Sequence, residues 1–296
     1  MKQNTRSILL GGVAVLSWAT VATAFKIALS HLSVFNMLLV ASVTSALIFA
    51  LVMAVERRWR ELKSIPPRIL LECAALGVLN PVLYYLVLFK AYDMLPAQMA
   101  QPLNYAWPIV LLVLLAVFNH ERIPAGKYIG MLISVSGVVC ISFGGSAMEG
   151  GVSVAGILMA LLSAALWAVY WMFNNRLKGV VHPSVAMFVG FSSGAVLLLM
   201  AGCFVGIEIG SAAGLLSGIY IGLFEMGIPF LAFGTALRIT SNPALINQMC
   251  YLSPFLSLFL IAMVLGETIL PTTYVGLALI VAGLIFNGYF VGPPKK

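Results

Sequence analysis

Apolar residues run in long stretches at residues 8–29, 34–55, 69–91, 97–118, 128–146, 152–173, 184–207, 212–237, 244–265 and 272–291, each closed by charged, proline or glycine-rich residues. Each stretch is about 20 residues, the length a helix needs to cross the hydrocarbon core of a bilayer. The pattern predicts an all-α membrane protein with ten transmembrane helices, numbered 1 to 10 in chain order. The longest connection, residues 56–68, is a charged hairpin loop, too short for a soluble domain. Function is therefore expected within the membrane.

Composition agrees with this pattern. The chain is 62% hydrophobic and 8% charged, whereas the surface of a water-soluble globule needs about a quarter charged residues. The lipid bilayer is the expected surrounding. A net charge of +7 raises nucleic acid as a partner, but that requires a clustered basic face on a soluble surface. Here the charges sit in short connections, so no nucleic acid is expected.

With the N-terminus in the cytoplasm, the inner side collects Lys2, Arg6, Arg57, Arg58, Arg60, Lys63, Arg68, Arg122, Lys127, Arg176, Lys178, Arg238, Lys295 and Lys296. Only Lys26 and Lys90 fall outside. This bias predicts that both termini are cytoplasmic. The first apolar run is too long for a signal peptide and lacks a clean small-residue cleavage site, so it reads as a permanent helix. Cys73, Cys140, Cys203 and Cys250 lie singly in apolar runs, as packing residues, with no metal-ligand spacing.

An internal repeat organises the chain. A shift of 146 carries Tyr105, Pro108, Glu121, Ile123, Tyr128, Gly130 and Gly137 onto Tyr251, Pro254, Glu267, Ile269, Tyr274, Gly276 and Gly283. A shift of 149 carries Trp18 and Ala19 onto Trp167 and Ala168. The expected halves are residues 1–146, helices 1 to 5, and residues 147–296, helices 6 to 10. Five spans is an odd number, so the halves cross the bilayer in opposite senses. Inverted repeats with a site at their interface are typical of secondary transporters.

The junctions Glu121-Arg122-Ile123-Pro124 and Gly266-Glu267-Thr268-Ile269-Leu270-Pro271, each followed by tyrosine, glycine and a small-residue helix, resemble the EamA repeats of the drug/metabolite transporter superfamily. The resemblance covers nearly the whole chain. Asn104-Tyr105-Ala106-Trp107-Pro108 running to Phe118-Asn119, with Trp167-Ala168-Val169-Tyr170 and Asn175, is similar to the YddG-type exporters of aromatic amino acids. The resemblance implies two inverted five-helix EamA repeats around a central cavity, lined by helices 1, 3, 4, 6, 8 and 9, with 5 and 10 at the periphery. It further implies efflux from the cytoplasm across a bacterial inner membrane.

Mid-span polar residues are the candidate binding groups, because an unpaired polar group in hydrocarbon costs several kcal/mol. Helix 4 places Gln101, Tyr105 and Pro108 on one face, and helix 9 repeats the set as Asn247, Tyr251 and Pro254. The prolines free carbonyls for substrate or for bending. Both sets suit a shared pocket; helix-to-helix adhesion is the alternative. Helix 6 aligns Trp167, Tyr170, Trp171 and Asn174, of which Trp171 and Asn174 lie near a span end, where an interfacial belt also explains them. Trp18, Asn80, Tyr84, Tyr85 and Trp107 complete an aromatic lining suited to a flat solute. The amides Asn80, Gln98, Gln101 and Asn104 can serve the carboxylate and ammonium of an amino acid.

Glu225 is the one acidic residue in mid-span. It reads either as a proton-coupling carboxylate or as a polar contact to a neighbour. Lys26, which corresponds to a lysine common in the first helix of the superfamily, either pairs an acid or substrate carboxylate or snorkels to the interface. Gly126, Gly130, Ser134 and Gly137, with Gly276 and Gly283, form small-residue faces that pack inside the fold or serve a dimer; a monomer is expected.

His31, His120 and His182 are far apart, and no paired carboxylates, Ser/His/Asp set, HExxH or Walker loop occurs. No enzyme and no cofactor are expected. The sequence reading is a secondary exporter of small metabolites, aromatic and other amino acids first, working by alternating access. Other amphipathic metabolites or drugs are the second reading, and a passive pore or membrane-embedded enzyme the third.

Overall fold

The computed structural model describes residues 2–118, 125–144, 152–177, 179–240, 245–246 and 249–289. Among the described residues, ten apolar helical segments make up its body. They are α1 (Lys2–Leu29), α2 (Val34–Val55), α3 (Pro67–Met94), α4 (Ala97–Phe118), α5 (Ala125–Gly144), α6 (Val154–Asn174), α7 (Pro183–Val205), α8 (Ala212–Ile239), α9 (Leu252–Leu265) and α10 (Pro271–Tyr289). Eight are long and apolar enough to cross a membrane; within α5 and α9 the apolar stretches, Gly126–Ile141 and Leu252–Leu265, are shorter. α5 begins directly after residues outside the described set. Large apolar side chains such as Leu51, Leu71, Leu132 and Phe204 point outward, fully or largely exposed. Together with the helix lengths, that marks a multi-pass membrane protein.

Helix ends follow local chemistry. The Ser33 hydroxyl accepts from the amide of Asn36 at the start of α2, and Ser211 does the same for Gly214 at the start of α8. Pro67 and Pro183 stand in the first turns of α3 and α7, where no amide donor is needed. Breaks inside α3, α4 and α8 fall near prolines. Pro81 sits in a π-type widening of α3 over Val78–Leu83. Ahead of Pro108, α4 opens at Tyr105 and Ala106, because a proline has no amide to donate to the carbonyl four residues back and its ring crowds that carbonyl. A second widening in α8, Gly222–Gly227, ends just before Pro229.

The helices pair in a pattern that survives exchange of the two halves. α1 packs on α8 and α9, while α6 packs on α3 and α4; α2 packs on α7 and α8, while α7 packs on α2 and α3; α5 packs on α10. The α5–α10 contact explains the small-residue faces. A methyl group at Gly283 would collide with the Gly130 carbonyl and the Ser134 hydroxyl, and one at Gly137 with the Gly276 carbonyl. The Ser134 hydroxyl donates to the carbonyl of Ile280 at 3.1 Å. These glycines are thus used within the chain, letting two backbones approach closely.

Candidate functional site

A cavity of about 480 Å³ lies between the halves. From the first half, α1 contributes Trp18, Val21 and Phe25, α3 contributes Tyr84, Leu88 and Tyr92, and α4 contributes Gln101, Asn104, Tyr105, Trp107, Pro108 and Leu111. From the second half come Trp167 and Trp171 of α6, Glu225, Phe233 and Leu237 of α8, and Cys250 and Tyr251 just before α9. The interrupted helices α3, α4 and α8 therefore surround it, and their breaks aim polar groups inward.

Aromatic rings form its walls. Trp167 lies against Tyr84 with centroids 4.6 Å apart, stacks on Tyr170 at 5.6 Å and meets Trp171 edge-on at 5.9 Å. Its counterpart Trp18 meets Phe233 at 5.5 Å. Both indoles also stand edge-on to Phe230, at 6.5 and 5.8 Å. Offset and edge-on pairs of this kind hold rings in fixed orientations.

The polar groups are few. The Tyr84 hydroxyl donates to Asn104 Oδ1 at 3.3 Å, and Asn104 Nδ2 donates to Ser163 Oγ at 2.9 Å. Glu225 is 8% exposed; its Oε1 accepts from the Tyr85 hydroxyl at 3.1 Å, and its backbone carbonyl accepts from the Trp18 indole at 3.3 Å. Among the described residues, Glu225 Oε2 and Gln101 Oε1 have no hydrogen-bond partner. Such atoms are costly to leave in a dry interior, and the cavity is where a solute can reach them.

One end is shut and the other is not. Phe25, Leu88 and Tyr92 are buried, whereas Trp107, Leu111, Trp171 and Leu237 are partly exposed. Beyond Tyr92, Lys26 Nζ donates to the carbonyls of Tyr92 and Leu95 at 2.8 and 2.9 Å, capping the C-terminal end of α3. Glu267 accepts from the amides of Ala97 and Gln98 at 3.0 and 3.3 Å, capping the start of α4. The Gln98 side chain donates to the Thr268 carbonyl at 3.0 Å and accepts from the Leu270 amide at 2.9 Å. These contacts tie the α9–α10 connection across the closed end.

The sequence-singled residues divide accordingly. Trp18, Tyr84, Gln101, Asn104, Tyr105, Trp107, Pro108, Trp167, Trp171, Glu225 and Tyr251 line the cavity. Asn80, Tyr85 and Tyr170 are buried behind its wall, since the widening at Pro81 changes the phase of α3 and the stacked Trp167 covers Tyr170. Pro254 is buried in the first turn of α9. Lys26 and Gln98 belong to the closed end, where Lys26 meets the Tyr92 and Leu95 carbonyls. Asn247 lies outside the described residues. Phe25, Tyr92 and Phe233 also line the cavity, and the sequence does not announce them, because a phenylalanine or a tyrosine in an apolar run carries no signal of which way it points.

The EamA-like transporter family profile matches residues 5–143 and again 154–289. The uncharacterized transporter YdfC of Bacillus subtilis is 28% identical over 306 residues, spanning 100% of this chain and 95% of that protein. The aromatic amino acid exporter YddG of Ancylobacter novellus is 25% identical over 183 residues, 60% of this chain and 62% of the exporter. A solved crystal structure shares the fold with a TM-score of 0.66 and 21% identity, over 95% of this chain and 96% of that one. With the same profile matched once in each half, the chain belongs to the EamA-like transporter family.

Proposed function

We propose that the chain is a secondary exporter of small aromatic metabolites, aromatic amino acids foremost, working by alternating access across the bacterial inner membrane as a monomer. In this reading all ten helices span, residues 1–146 and 147–296 form halves of opposite sense, and both termini are cytoplasmic. The exchangeable helix pairing supports a two-fold relation between the halves. Five spans each turn that relation into an inversion.

The observation that carries the proposal is the aromatic cavity between the halves, with its few polar groups. About 480 Å³ falls within the range of small-molecule pockets, and flat rings in its wall suit a flat cargo. Under the lysine and arginine distribution, the open end bounded by Trp171 and Leu237 faces the cytoplasm, and the capped end faces outward. A loading-competent exporter has that form. The relative named as an aromatic amino acid exporter supports the same cargo.

Uptake into proteoliposomes over a panel of amino acids and amphipathic drugs tests the cargo. The aromatic amino acids should be carried ahead of aliphatic ones; a flat profile across the panel would remove them as cargo.

A further inference from the structure

Charge inside the cavity is one-sided. Among the described residues, Glu225 presents Oε2 without a partner at its wall, and no lysine, arginine or histidine lines it. Two cations on the lining helices α1 and α8, Lys26 and Arg238, are committed elsewhere. Lys26 is held by the Tyr92 and Leu95 carbonyls, and Arg238, just past Leu237, contacts His182 at 3.3 Å and Thr235 at 3.4 Å.

A buried carboxyl group stays ionised only against a counter-charge with good hydrogen bonds, and otherwise takes up a proton. An ammonium supplies both, with three donors of which one meets Glu225 Oε2. Gln101 Oε1, also on the wall and without a partner, is a second acceptor. The Trp18 indole, tied to the Glu225 backbone at 3.3 Å, adds an aromatic ring beside the charge.

The carboxylate of a zwitterion has no equivalent partner. It would meet neutral donors alone, such as the Trp171 indole N–H, which has no partner among the described residues, and the one N–H of the Asn104 amide that Ser163 does not take. It would also stand in the same small cavity as Glu225, where like charges repel at low dielectric.

We infer that the cavity is selective for a cation, and that its preferred cargo is an aromatic amine with an ammonium and no carboxylate, recognised by Glu225. This rests on the reading of the cavity as the cargo site and departs from its ranking: within the aromatic metabolites, carboxylate-free amines bind ahead of the amino acids, which the cavity still carries at lower affinity.

Equilibrium dialysis of the purified full-length protein against radiolabelled 2-phenylethylamine, phenylalanine and 3-phenylpropanoate tests it. The wild type should bind the amine about tenfold more tightly than phenylalanine or better, a gap of about 1.4 kcal/mol, and 3-phenylpropanoate least. Glu225→Gln should lose that preference, and Glu225→Asp should keep the rank order. Equal binding of phenylalanine and the amine by the wild type, or an unchanged preference in Glu225→Gln, overturns the inference and leaves the cavity standing. Should Glu225→Gln not fold, phenylalanine methyl ester decides on the wild type: it must bind like the amine, and binding like phenylalanine overturns the inference. If the wild type binds none of the probes, the cavity reading itself fails and takes the inference with it.

Discussion

The Ser45 hydroxyl of α2 donates to the Gly222 carbonyl of α8 at 3.0 Å, and 148 residues later along the chain the Ser193 hydroxyl of α7 donates to the Ala74 carbonyl of α3 at 3.1 Å. The two bonds are one contact made twice, since adding 148 to 45 gives 193 and to 74 gives 222. Each joins a helix of one half to a helix of the other. A two-fold relation between the halves would require this reciprocity, which here reaches single atoms.

The close approach that permits the first bond predicts where the fold resists change. A methyl at Gly222 would stand 2.7 Å from the Ala41 carbonyl, whereas one at Gly234 in the same helix meets nothing within 4 Å. Gly222→Ala should lower stability by about 1–3 kcal/mol through overpacking. Gly234→Ala should leave it unchanged or raise it by up to about 1 kcal/mol, as alanine is the better helix former. Thermal unfolding of the two purified variants in detergent compares them, and equal losses would contradict the contact.

Lys26 should hold the closed end shut. Lys26→Met leaves the Tyr92 and Leu95 carbonyls without their donor, a loss of about 1.5–3 kcal/mol for a bond to a charged group. The variant should expose a cysteine placed at Leu88, buried at that end of the cavity, to a membrane-impermeant thiol reagent added outside. Unchanged labelling would mean that other contacts carry the closure.

At the opposite end, His182 predicts a pH response. It precedes α7, with Nδ1 3.8 Å from Glu56 Oε2 and Nε2 3.3 Å from Arg238. Burial first, then the Arg58 charge, hold its pKa below the ordinary histidine value. The folded state therefore binds fewer protons here than the unfolded chain, and stability rises with pH. The contribution is complete above the unfolded value of about 6.5 and is lost as pH falls through the lower folded value. Melting temperature should thus drop between pH 8 and pH 5 more steeply in the wild type than in His182→Gln. Parallel profiles would contradict it.

Much of this architecture is legible in the sequence because a bilayer leaves few choices: backbone groups in lipid must be satisfied within helices, so apolar length translates into spans. The cavity set Gln101, Tyr105 and Pro108 was also readable, as one helical face. Periodicity fails where the backbone departs from it. The widened turn around Pro81 inserts an extra residue per turn, which puts Tyr84 on the wall and Tyr85 behind it, against Glu225. The ties of Gln98 and Glu267 join residues about 170 apart in sequence, and no local pattern announces them.

Removing rings from the wall separates binding from framework. Trp167→Ala deletes contacts to Tyr84, Tyr170, Trp171 and Phe230, and Trp107→Ala removes a ring that lines the cavity. Each should lower transport of phenylalanine, tyrosine and tryptophan by at least about tenfold, equivalent to about 1.4 kcal/mol of lost interaction. Intact transport by both variants would mean the cargo passes elsewhere.

Whether the halves carry solute by alternating exposure is tested most directly by counterflow of labelled phenylalanine in proteoliposomes. Unlabelled phenylalanine trapped inside should accelerate entry of the label and drive its transient accumulation above the outside level, as a carrier that reorients with cargo requires. Rapid equilibration with no acceleration by internal solute would show a pore, and would contradict the account.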